Sequence, residues 1–99
     1  MKVLSLRTLR AFWEQPRYAD AEQPLRAWYD EAKTATWETP QAVKLMYRTA
    51  SFVAGNRVVF NIAGNKYRLI VAMDYPRQWC KVRFIGSHAE YDKINATEV

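Results

Sequence analysis

Apolar and polar residues alternate in three consecutive stretches of the second half of the chain. The apolar positions are Val58, Phe60 and Ile62, then Tyr67, Leu69, Val71 and Met73, then Cys80, Val82 and Phe84. A period of two marks a half-buried strand, because successive side chains leave a pleated backbone on opposite sides. The pattern predicts three strands sharing one apolar face. Their other face takes Arg57 and Asn61, then Lys66, Arg68 and Ile70, then Lys81, Arg83 and Ile85. An antiparallel sheet can leave one face in water, so this basic row is expected to be solvated. Ala63-Gly64-Asn65 offers the positive-φ residues of a hairpin turn, and Tyr75-Pro76-Arg77-Gln78 a second reversal.

The first half is patterned for helices. Val3-Leu4 suggests a short opening strand, and Ser5 is placed to cap a helix that runs to about Gln15 and stops at Pro16, with Leu6, Leu9, Phe12 and Trp13 on one side. Asp20 followed by Gln23 reads as a capping box, with Pro24 tolerated in the first turn. Leu25, Trp28, Ala32 and Ala35 then recur at spacings of three and four, a stripe suited to packing on the apolar face of the sheet. Thr39-Pro40 opens a short third helix carrying Val43, Met46 and Tyr47, and Gly55-Asn56 turns the chain into the sheet. Helices first and strands second predict an α+β fold over residues 1–99 as one domain, its N-terminal helices packed on one face of a small antiparallel sheet.

Composition changes this picture in one respect. The chain of 99 residues is 49% hydrophobic with a formal charge of +5. Residues 57–93 hold seven Lys/Arg against three Asp/Glu, whereas residues 1–56 hold eight against six. A basic sheet half favours a polyanionic partner, and a solvated basic face is the plainer reading of the same charges. Cys80, the single cysteine, falls on the apolar side of its strand and reads as a small core residue. No apolar run has the length of a membrane span and the N-terminus lacks the apolar core of a signal peptide, so a cytoplasmic protein with no membrane partner is expected.

Candidate chemistry is narrow. One His and one Cys cannot furnish a zinc site, and Asp74, Glu90 and Asp92 are too scattered for a two-metal nuclease, so neither a metal nor another cofactor is expected. There is no P-loop, dinucleotide fingerprint or serine nucleophile elbow. What remains is Lys66, Arg68, Lys81 and Arg83 beside Ser87-His88-Ala89-Glu90-Tyr91-Asp92. Cutting RNA without metal requires that the 2′-OH be deprotonated, the phosphorane charge neutralised and the 5′-oxygen protonated, tasks within reach of His, Tyr, Lys and Arg. His88 and Tyr91 would share one side of a helical turn. A capping and packing pair after a strand would show the same spacing.

The stretch R-V-V-F-N-I-A-G-N-K-Y-R-L-I-V at 57–71 and V-R-F-I-G-S-H-A-E-Y-D at 82–92 closely resembles the HigB-type toxins of bacterial toxin–antitoxin pairs, within the wider RelE/ParE superfamily. The likeness extends over nearly the whole chain, and its specific part is G-N-x-x-R at 64–68 with H-x-E-Y-D at 88–92. It implies a small α+β toxin that cuts mRNA on the translating ribosome and is neutralised by a HigA-like helix-turn-helix antitoxin. Carried over by position, Asn65, Arg68, His88, Tyr91 and Asp92 match the motifs, while Ser87 stands where a Thr is expected. The resulting candidates are Arg68, Arg83, His88 and Tyr91 for catalysis, and Arg57, Asn61, Asn65, Lys66, Lys81 and Asp92 for RNA contact. Two further readings use the same surface: a ParE-like toxin that inhibits gyrase, and a non-catalytic RNA- or protein-binding module.

Overall fold

A computed structural model describes residues 1–99. Along the chain come β1 (Lys2–Leu4), α1 (Leu6–Trp13), a 3₁₀ segment (Pro16–Ala21), α2 (Glu22–Thr34), α3 (Pro40–Met46), β2 (Ser51–Val53), β3 (Arg57–Ile62), β4 (Tyr67–Asp74), β5 (Trp79–Ser87) and α4 (His88–Tyr91). The α+β architecture expected from the pattern is present. The sheet has five strands in the order β1-β5-β4-β3-β2. Its β2-β3, β3-β4 and β4-β5 pairs are antiparallel, while β1 lies parallel to β5. That parallel edge and the short β2 were not visible in the alternation.

The helices cover the face where the alternation put the core. Leu9, Phe12 and Trp13 from α1, Leu25, Trp28 and Ala32 from α2, and Val43 from α3 are buried with Val58, Phe60, Ile62, Tyr67, Leu69, Val71, Met73, Cys80 and Val82. Two expected caps fail. Ser5 takes a left-handed backbone with φ 69° and makes no side-chain cap bond. Asp20 does not cap α2, which starts at Glu22 after Ala21, because its carboxylate is engaged by Lys66 and Tyr67. Thr39 does cap α3, accepting from the Ala42 N–H at 3.2 Å. Met46 points outward and is half exposed.

The second face of the sheet departs from expectation. A bulge at Arg83 shifts the β4–β5 register, so that Val71 faces Val82 but Ile70 faces Phe84 and Leu69 faces Ile85. An extra residue inverts every side chain beyond it. Ile85 therefore packs on the helix-side core, and Phe84 turns to the face assigned to cations. There Val59, Ile70 and Phe84 lie side by side across three strands, with Val59 and Ile70 buried. The face is thus three rows. Asn61, Arg68 and Gly86 form one end, the apolar row the middle, and Arg57, Ala72 and Lys81 the other end. Gly86 leaves room for this ring: a Cβ there would stand 2.6 Å from Phe84 Cζ, and the ring would have to shift. No helix of the chain is long and apolar enough to cross a membrane.

Candidate functional site

The hairpin turn between β3 and β4, with Ala63 at φ 55° and Gly64 at φ 67°, delivers Lys66 and Arg68 to the end of the sheet where β5 finishes. At that end the chain enters α4 through a capping box. Ser87 Oγ accepts from the Glu90 N–H at 3.1 Å, and Glu90 Oε1 accepts from the Ser87 N–H at 2.8 Å. The His88 N–H donates to Lys66 O at 3.2 Å, which fixes the start of α4 against the head of β4. Tyr91, three residues on, brings its ring to 5.9 Å from the Arg68 guanidinium carbon. Arg68 Nη1 donates to Asn65 O at 3.1 Å, so the turn backbone braces the same guanidinium. His88 Nδ1 lies 3.1 Å from Asp92 Oδ2. A carboxylate only accepts, so Nδ1 is the donor in this contact.

A second layer comes from the 3₁₀ segment, for which sequence reading offered only Asp20 as a helix cap. The Tyr18 hydroxyl donates to Glu90 Oε1 at 3.0 Å. The Tyr18 ring stacks on Phe12 at 4.2 Å between centroids, and both rings meet Tyr67 edge-on at 5.9 and 5.4 Å. Asp20 accepts from the Tyr67 hydroxyl and pairs with Lys66. The Lys66 ammonium and then the Tyr67 hydroxyl hold the Asp20 carboxyl below the usual aspartate range, and Asp20 in turn raises Lys66. Glu90 is lowered chiefly by the Ser87 N–H, with Tyr18 adding to it. Helix α4 is thereby tied to the body of the protein through Glu90. Nothing in the local pattern of residues 16–21 signals contacts made 72 and 47 positions away.

The structure therefore brings Arg68, His88, Tyr91, Asp92, Asn61 and Asn65 to one end of the sheet. Lys66 is there too, but it is committed to Asp20 on the helix side and is not a free member of a cation row. Arg83 and Arg57 are not part of this group. Both donate to Val99 O, Arg57 at 3.0 and 2.6 Å and Arg83 at 3.1 Å. Lys81 is exposed near them, opposite Ala72. A cleft of about 240 Å³ between α1 and α2, lined by Arg10, Trp13, Arg26 and Lys33 among others, contains none of the candidate residues. The candidate site is an open surface suited to a ligand that lies across it.

The family model described as HigB_toxin, RelE-like toxic component of a toxin-antitoxin system, matches residues 21–94. No curated protein matches the chain. The matched span holds every candidate residue, and it omits α1 and the end of the chain.

Proposed function

The chain belongs to the HigB family of RelE-like toxins of toxin–antitoxin systems, and from that premise we propose that it is a metal-independent endoribonuclease that cuts mRNA on the translating ribosome. Its partners in this reading are the mRNA and a HigA-like helix-turn-helix antitoxin. The observation that supports it best is the meeting of the Arg68 guanidinium with the Tyr91 ring on a short helix whose first residue is His88.

In the reaction the 2′-oxygen attacks phosphorus as its proton leaves, the P–O5′ bond breaks, and the 5′-oxygen takes up a proton. His88 and Tyr91 exchange those two protons, while Arg68 neutralises the charge that builds on the phosphorane. Asp92 orients His88 so that Nε2 faces the substrate, the arrangement that a carboxylate commonly provides for a histidine. Asn61, across from Arg68 on β3, and Asn65 in the turn offer amide contacts to the flanking nucleotides. Neither metal nor cofactor takes part. The ribosome holds the mRNA in line for attack, a positioning task that an open surface cannot perform alone.

The test is to map new 5′ ends in coding frames with translation active. Arg68→Ala should remain folded and abolish growth inhibition, since one transition-state donor typically contributes ~2.7–4 kcal/mol. His88→Gln should lower the cleavage rate by ~10²–10⁴-fold. Undiminished cleavage by a folded Arg68→Ala protein, or by His88→Gln combined with Tyr91→Phe, would remove these residues from the chemistry.

A further inference from the structure

Two guanidiniums that reach one oxygen from separate strands make an anion receptor. Arg57 rises from β3 and Arg83 from the bulge of β5, with β4 between them, and both close on Val99 O at 2.6–3.1 Å. The oxygen is presented by a tight turn. The N–H groups of Glu98 and Val99 donate to Asn95 O at 3.0 and 3.2 Å, and Thr97 donates to Asn95 Oδ1 through both its N–H and its hydroxyl. To arrive there, segment 93–99 leaves α4 beside Arg68 and returns to the opposite end of the second sheet face, where Thr97 O lies close to Gly55. Arg57 is four residues from Asn61 along β3, a separation of ~13 Å at the rise of an extended strand. The receptor thus shares a face with the candidate cleavage site and stands beyond the apolar row of Val59, Ile70 and Phe84.

We propose that Arg57 and Arg83 form a second phosphate-binding site for the RNA backbone, and that segment 93–99 is its built-in competitor, seating Val99 O where a phosphate oxygen would go. Forked guanidinium donors suit phosphate oxygens, so an RNA phosphate competes with Val99 O for the same two side chains. An RNA strand held at Arg68 and continuing along the face meets the segment before it meets the two arginines. The apparent affinity is then the intrinsic affinity reduced by the fraction of molecules whose receptor is open. This inference rests on the RNA-directed reading above and adds a regulated subsite to it.

The test measures binding without cleavage. A fluorescent single-stranded RNA with 2′-O-methyl groups, which cannot be cut by 2′-oxygen attack, is titrated by anisotropy into the full chain and into a chain ending at Thr97. The shortened chain should bind more tightly by about three-fold or more. Its log Kd should also depend more steeply on log salt, by ~0.7 for each phosphate newly neutralised. Arg57→Ala with Arg83→Ala in the shortened chain should cancel both gains. Glu98→Gln in the full chain should reproduce neither, which separates loss of the clasp from loss of one negative charge. Asn95→Ala, which removes the side-chain acceptor of both Thr97 bonds and so loosens the presenting turn at full length, should tighten binding in the same direction as shortening does and guards against a shortened chain that fails to fold. Equal affinity and equal salt slope across the full chain, the shortened chain and Asn95→Ala would overturn the inference, as would a gain that survives the double arginine substitution. Because the probe is uncut, a protein that cleaves no mRNA would still show the difference; cleavage without the difference sinks the inference alone.

Discussion

Val82 and Arg83 are chain neighbours with opposite fates, and substituting each to alanine tests the assignment of faces around the bulge. Val82 is 4% exposed and sits opposite Val71, which is fully buried. Truncation to alanine removes two methyl carbons from the core, which at ~0.8 kcal/mol per buried carbon group is about 1.6 kcal/mol of lost transfer energy. Incomplete collapse of the vacated space brings the expected range to about 1–3 kcal/mol. For a domain of this size each kcal/mol moves Tm by about 4–8 °C, so Val82→Ala should melt roughly 4–24 °C lower. Arg83 is exposed, and its Nε makes one bond, to Val99 O. Losing that bond should cost at most about 1 kcal/mol. The assay is thermal unfolding by circular dichroism with near-ultraviolet spectra to confirm native packing. Comparable melting losses in the two variants, or a larger loss in Arg83→Ala, would mean that the faces of β5 are wrongly assigned.

Three further outcomes are expected. Ser87→Ala removes the cap of α4 and should lower stability by about 1 kcal/mol, while growth inhibition should fall because His88 and Tyr91 lose their fixed orientation; unchanged toxicity would show that the cap does not position them. Asp20 has its carboxyl lowered by Lys66 and Tyr67, so its stabilisation is complete above the unfolded value near ~3.9 and is lost as pH falls through the lower folded value. The melting difference between wild type and Asp20→Asn should therefore be flat above about pH 5 and close in more acidic buffer, and a difference that instead grows on acidification would refute the pairing. Burial pushes the Cys80 thiol up to about 11, so a thiol reagent at pH 8 should modify Cys80 at the rate of unfolding, and rapid modification of the native protein would contradict its core position.

The strands could be read because alternation survives wherever one face is buried, and the stripe of Leu25, Trp28 and Ala32 because helical spacing does the same. The bulge could not. Phe84 and Ile85 are both apolar, so the pattern Cys80, Val82, Phe84 looks unbroken whichever of the two faces the core. The G-N-x-x-R and H-x-E-Y-D elements located the end of the sheet that gathers Arg68, His88 and Tyr91, since a hairpin turn and a strand end are local events. The bonds from Asp20 to Lys66 and from Tyr18 to Glu90 were hidden, because a polar pair separated by 46 or 72 residues leaves no periodic trace. Asp20 shows how such pairs prevail. It has the local chemistry of an N-cap, but a cation and a phenol hydroxyl supplied by the tertiary fold displace the helix N–H groups as its donors.

The parallel pairing of β1 with β5 has a consequence for how the molecule is made. Lys2 pairs with Trp79 and Leu4 with Lys81, so the first strand to emerge has no neighbour until the chain is almost fully synthesised. The helices that follow it carry their apolar stripes through the same interval without the β3–β4–β5 surface that buries them. Long-range pairing of this kind carries a large loop-closure cost and slows folding. Residues 67, 68, 87 and 88, which form the end of the sheet under α4, come together only when β5 docks. Arg68, His88 and Tyr91 are therefore not gathered until the final strand has cleared the exit tunnel, and a truncated translation product that stops short of Trp79 lacks both β5 and the partner of β1.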